Sequence, residues 1–224
     1  VDPTQGAGPA IYSAPFVEEF FKASILFILA IFMRDKLTSI VQTVSLAGLS
    51  AVGFAFIENM IYYARADNYA RVTIQAGDPT QAVRQLFVLR GMATSFGHPL
   101  FASMTGIGLA IGLRSRSRLV RILAPVTGYL GAVIGHMVFN GISSVVPQNR
   151  LQMYWFVALG IVFGVVIFLV ARLFREGRMI RNRLADYVTM GWLPSRDPVV
   201  LGAMRRRWWI GFVSLSHGLR TWWA

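Results

Sequence analysis

Glu18, Glu19 and Lys22 sit inside a stretch that otherwise reads as a membrane span, with Ala14 to Val17 before them and Ala23 to Met33 almost free of polar side chains after them. A carboxylate in hydrocarbon costs at least a few kcal/mol, so ionisable groups within a bilayer usually face a polar interior and carry a function. Further such groups recur downstream: Glu58 with Asn59, His98, and His136 with Asn140. Carboxylates beside imidazoles can move protons, either as a general base on a bound water or as a relay for transport.

Spacing sets which groups can meet. Glu18 and Lys22 are four residues apart and Glu19 and Lys22 three, so on a helix Lys22 reaches either carboxylate. The adjacent glutamates point about 100° apart, so one can pair with Lys22 while the other faces a site. His136 and Asn140, four apart, share a helix face and can address the same bound group. Blander roles compete with these: a buried Glu18–Lys22 ion pair, a snorkelling Glu58, a histidine at the Pro99 kink, or polar contacts between packed helices.

The elements that carry these residues are membrane helices. The 224 residues are 55% hydrophobic and only 14% charged, with a mean hydropathy of +0.54. That composition excludes an ordinary soluble domain. Apolar runs predict spans at about 12–33, 40–64, 91–113, 122–146 and 152–172, each near the roughly 20 residues a bilayer needs. The expected fold is all-α: a polytopic helix bundle of about five spans with a cytoplasmic amphipathic tail. Residues 1–172 are expected to form the transmembrane domain that carries these groups and 173–224 the basic cytoplasmic tail. Cysteine is absent, which excludes disulfides and thiolate metal sites.

The formal charge of +12 would suggest nucleic acid in a soluble protein, but the basic residues lie at span ends and in the tail. Orientation and anionic lipid explain them, and no nucleic-acid partner is expected. With the C-terminus cytoplasmic, 16 basic residues fall inside and 5 outside, Lys22 being buried. The N-terminus is then outside and the protein is a multi-pass resident of the inner (plasma) membrane. An outside N-terminus without a basic leader is expected to follow further helices. In the tail, Arg205 to Arg207 adjoin Trp208 and Trp209, and Trp222 and Trp223 follow, a pairing suited to the headgroup region.

Between the second and third spans, Gly77-Asp78-Pro79-Thr80 signals a turn, and Gln81 to Leu89 reads as a short amphipathic surface helix. Tyr62 and Tyr63 read as interface anchors. Gly106, Gly108 and Gly112, then Gly128, Gly131 and Gly135, and Gly160 with Gly164 read as close-packing faces.

At 1.5 Å rise per residue, Glu18, Glu19 and Glu58 lie roughly 10 Å below the outer edge, with His98 and His136 within about 15 Å of it. Four helices thus bring ionisable groups to one depth.

The pattern Ala14-Pro15-x-x-Glu18-Glu19-x-x-Lys22, Phe54-x-x-x-Glu58-Asn59-x-x-Tyr62, His98 and His136-x-x-x-Asn140 resembles the PrsW intramembrane proteases, over about residues 12–146. These are related to the CAAX prenyl endopeptidases and bacterial CPBP proteins. The resemblance implies a membrane-embedded endopeptidase cleaving a membrane-anchored protein near the outer face, as in first-site cleavage of anti-sigma factors. It implies that Glu18 or Glu19 activates water, and that His98 and His136 orient the water, bind a metal or stabilise the oxyanion. Asn140 would donate to that oxyanion. Lys22, Glu58 and Asn59 would be supporting polar residues. Two histidines and a carboxylate are also a ligand set of catalytic zinc, with His98 and His136 as the nitrogen donors, although no His-Glu-x-x-His pair is present. Metal-dependent and metal-free hydrolysis both stay open. A proton-coupled transporter and a non-catalytic membrane scaffold are the alternatives from other classes.

Overall fold

The structure is a computed structural model that describes residues 8–73 and 77–218. The extreme N-terminus, Arg220 and the Trp222–Trp223 pair lie outside the described residues. No strand occurs among the described residues. The helices are α1 (Ala14–Phe32), α2 (Ile40–Val72), α3 (Pro79–Leu86), α4 (Gly97–Arg114), α5 (Arg118–Val145), α6 (Gln148–Thr189), α7 (Asp197–Leu201) and α8 (Met204–Ser216). A π-helical turn, Pro9–Ser13, leads into α1, and a second, Phe87–Ala93, follows α3.

Local chemistry sets the helix starts. The Ser39 side chain accepts from the backbone N–H of Val41 and Gln42 and caps α2. Asp78 caps α3 by accepting from Thr80 N–H, and Pro79 fills its first turn. Gly77 enters that cap at φ +81°, a conformation L side chains rarely adopt. The predicted turn and short helix are therefore present.

Four helical stretches are long and apolar enough to cross a membrane: Ile40–Val72, Pro79–Arg114, Arg118–Ser144 and Asn149–Thr189. The 19-residue α1, which carries Glu18, Glu19 and Lys22, completes an all-α membrane bundle of about five spans. The short amphipathic α3 and the π-helical turn run into α4 as one long helical stretch rather than standing apart.

The chain divides into two units, Val1–Val165 and Val166–Ala224. In the first, α4 packs between α2 and α5, with α1 laid against them. Leu26, Ala47, Ala51, Ala102 and Leu109 form the core, while Ile31, Phe32 and Leu49 are largely exposed, as lipid-facing residues must be. Small residues let the backbones meet. A Cβ on Gly128 would stand 2.6 Å from Met104 O and 3.0 Å from Gly108 Cα, and one on Gly106 would stand 3.0 Å from Val44 Cα. Gly160 and Gly164 depart from expectation: a Cβ on either would meet open space within the described chain. Among the described residues, nothing beyond their own helix lies within 4 Å of those positions. In the second unit, α6 continues as a polar helix to Thr189, and α8 carries Arg205–Arg207 and the exposed Trp208 and Trp209.

Candidate active site

The register of α1 is tied down at three heights. Tyr129 of α5 donates to Phe16 O (3.0 Å) and Ser50 of α2 donates to Lys22 O (2.9 Å). Asn140 Nδ2 donates to Ala10 O (2.9 Å) in the turn before α1. So fixed, α1 turns Glu19 and Lys22 into the protein, where both are almost wholly buried, and leaves Glu18 part-exposed at a cavity of about 690 Å³. That cavity is also lined by Glu58, Asn59, Tyr62, Arg90, His98, His136 and Asn140. The residues predicted from four separate spans are thus brought together.

Lys22 is the hub of the cluster. Its ammonium donates to Glu19 Oε1 at 2.8 Å, stands 3.5 Å from Glu18 Oε2, and lies 4.6 Å from the centre of the Phe54 ring. It also lies 2.7 Å from His98 Nδ1. An ammonium can only donate, so His98 Nδ1 is the acceptor and the ring proton sits on Nε2, by the logic of the network. That Nε2 faces Glu58 Oε2 at 3.0 Å, close enough to set its orientation although the geometry is not that of a hydrogen bond.

His136 is held the opposite way. Its Nδ1–H donates to Glu19 Oε1 at 3.0 Å, and Nε2 faces Glu18 Oε2 at 3.8 Å. Phe101 stacks on its ring, with centroids 5.0 Å apart and planes at 16°. Each histidine therefore has its own carboxylate: Glu58 for His98 and Glu19 for His136.

The three carboxylates are not equivalent. Glu19 is closed in by Lys22 and His136, and Glu58 by His98 and by Arg90 Nη2 at 2.9 Å. Glu18 has no partner closer than 3.5 Å among the described residues, and it borders the cavity. Two fixed cations, Lys22 and Arg90, balance two carboxylates, which leaves the charge of Glu18 as the surplus.

Residues 5–173 match the family described as PrsW family intramembrane metalloprotease. The chain belongs to this family. It is accordingly a membrane peptidase whose substrate is a membrane protein. No curated protein and no solved structure matches it.

The family's name implies a metal, and the PrsW chain does contain a Glu/His/His group: donor atoms of Glu18, His98 and His136 lie within 4.8 Å of one another. These are ligand types that zinc accepts. The arrangement nonetheless does not fit a bound ion at His98. A neutral imidazole has one lone pair, and that of His98 is met by the Lys22 ammonium, while its other nitrogen serves Glu58. An incoming cation would have to take the place of a fixed positive charge.

Three sequence readings need correction or completion. Asn140 borders the cavity, but its amide is engaged with Ala10 O, so one of its two N–H groups is already committed. Tyr62, read as an interface anchor, also lines the cavity beneath the Arg90 guanidinium, which lies 3.9 Å from its ring centre. Arg90 itself went unrecognised as a site residue. The available signal was a lone charge in the apolar run Phe87-Val88-Leu89-Arg90-Gly91, which is the same signal that marks Glu18.

Proposed function

We propose that this PrsW protein hydrolyses a peptide bond of a single-pass or otherwise membrane-anchored protein near the outer face, with Glu18 as the general base. The observation that carries this reading is the unequal pairing of the three carboxylates, in which Glu18 borders the cavity and has the longest contacts, 3.5 Å to Lys22 and 3.8 Å to His136. A water held between Glu18 Oε2 and His136 Nε2 gives its proton to Glu18 as its oxygen attacks the scissile carbonyl. Glu18 then passes that proton to the departing amine, so the two products are a new carboxylate and a new amine. The remaining Asn140 N–H is the candidate donor to the oxyanion. Lys22, His98, Glu19 and Glu58 hold these groups in place and keep the cluster near charge balance.

In this reading no step runs through a metal. Zinc on Glu18, His98 and His136 is the competing form, and it requires Lys22 to leave His98. Similarity to first-site proteases of anti-sigma factors makes a membrane-anchored regulator of that kind the candidate substrate. The excess of basic residues on one side supports an outside N-terminus, a cytoplasmic C-terminus and the inner (plasma) membrane. Arg205–Arg207 beside Trp208 and Trp209 suit anionic lipid headgroups.

The test is cleavage of a single-pass membrane protein in proteoliposomes. Wild type should cut, with one ¹⁸O from labelled water in the new carboxylate, and Glu18→Gln should not. A transporter would show flux without cleavage.

A further inference from the structure

Arg90 lies on the π-helical turn Phe87–Ala93, between α3 and α4, and all of its close partners sit on one turn of α2. Its Nε donates to Asn59 Oδ1 at 2.9 Å, its Nη2 meets Glu58 Oε2 at 2.9 Å, and its guanidinium lies over Tyr62. Two directed contacts and a stacking plane leave the guanidinium one orientation. The turn is itself seated tightly, since a Cβ on Gly91 would stand 3.0 Å from Tyr63 Oη and 3.1 Å from Phe87 Cδ2. A single π-helical turn within helical structure is often found at functional sites, and here it places a charged side chain at the cavity.

Glu58 Oε2 is shared between Arg90 and His98 Nε2. We propose that Arg90 is a positioning residue: by holding Glu58 against His98 it supports, together with Lys22, the Nε2–H tautomer of His98, and through it the seat of the Lys22 ammonium between the histidine and the glutamate pair. The role rests on the hydrolytic reading of the site given above. The coupling from Arg90 to His98 does not, because it follows from contacts alone. Without the guanidinium, the Glu58 carboxylate is no longer held from its far side and can swing away from His98 Nε2. The Nε2–H form of His98 then rests on Lys22 alone, and Lys22 has a less firmly fixed acceptor. Mutating the partners that orient a metal-bound histidine typically costs about 10- to 100-fold in activity, and the same scale is expected for a histidine oriented without a metal.

The experiment uses full-length protein labelled with ¹⁵N-histidine, whose three histidines give a simple spectrum; His98→Gln assigns the signal of interest. Wild type should show His98 as the Nε2–H tautomer. Arg90→Met should show a tautomer mixture, and Arg90→Lys should fall between, because one ammonium cannot reproduce the fork. In the cleavage assay, Arg90→Met should lower kcat about 10- to 100-fold with little change in KM, and Arg90→Lys should recover part of it. An unchanged His98 tautomer in both variants would overturn the proposal, as would a change confined to KM. If wild type cleaves nothing, the hydrolytic role of Arg90 falls with the peptidase reading, and the tautomer measurement still decides the coupling.

Discussion

Glu18 and Glu19 are neighbours in sequence with opposite fates, because one helical step of about 100° separates cavity from core. Helical spacing made Lys22's reach to both legible in advance. Which glutamate faces the cavity was not legible, since it depends on how α1 is rotated by Tyr129, Ser50 and Asn140, residues far away in sequence. Arg90 is hidden for a similar reason: at the end of an apolar run it reads as one of the outside basic residues, and the π-helical turn is what aims it inward. The position of Lys22 also yields a prediction about metal. Lys22→Met removes the fixed cation and frees the His98 lone pair, leaving Glu19 with His136 as its remaining close partner. Removing one member of a buried ion pair typically costs about 3–5 kcal/mol, so the variant should be less thermally stable than wild type. Zinc should bind it stoichiometrically and restore part of that stability, whereas purified wild type should hold less than one zinc per chain by elemental analysis. A wild type that retains one tightly bound zinc would contradict the assignment of Lys22 as the cation of this site.

The helices themselves were the most legible part of the molecule, because apolar runs of bilayer length leave little alternative in a chain without cysteine or strand-like alternation. Their ends were less so: α2 extends to Val72 rather than stopping near residue 64, and the amphipathic α3 leads into α4. Polar residues at those ends carry no hydropathy signal, yet backbone hydrogen bonding continues through them. Glycine spacing was informative only where a partner helix exists. Gly128 meets the backbone of α4, while Gly160 meets nothing in the described chain, although both lie in small-residue patterns. Gly128→Val should therefore force α4 and α5 apart, costing about 1–3 kcal/mol or more and lowering the melting temperature in detergent. Gly160→Val should leave it unchanged. Equal effects of the two substitutions would contradict the packing described.

For the whole molecule, membrane residence follows from composition and family together, and a bundle that exposes Ile31, Phe32 and Leu49 is consistent with lipid as its solvent. Sidedness rests on the distribution of basic residues alone, since helix packing looks the same from either face of a bilayer. The absence of native cysteine makes it measurable with single introduced thiols. Gln81→Cys, at an exposed position of α3, should react with a membrane-impermeant maleimide added to intact cells. Arg116→Cys, exposed between α4 and α5, should react only after permeabilisation. The reverse pattern would place the cavity on the cytoplasmic half and remove the outer-face substrate. The most direct measurement of the central claim is a side-by-side cleavage assay in proteoliposomes of wild type and Glu18→Gln, with folding of each checked by thermal melting. The account predicts a Glu18→Gln protein that melts like wild type and does not cleave. A folded Glu18→Gln protein that cleaves at the wild-type rate would contradict it.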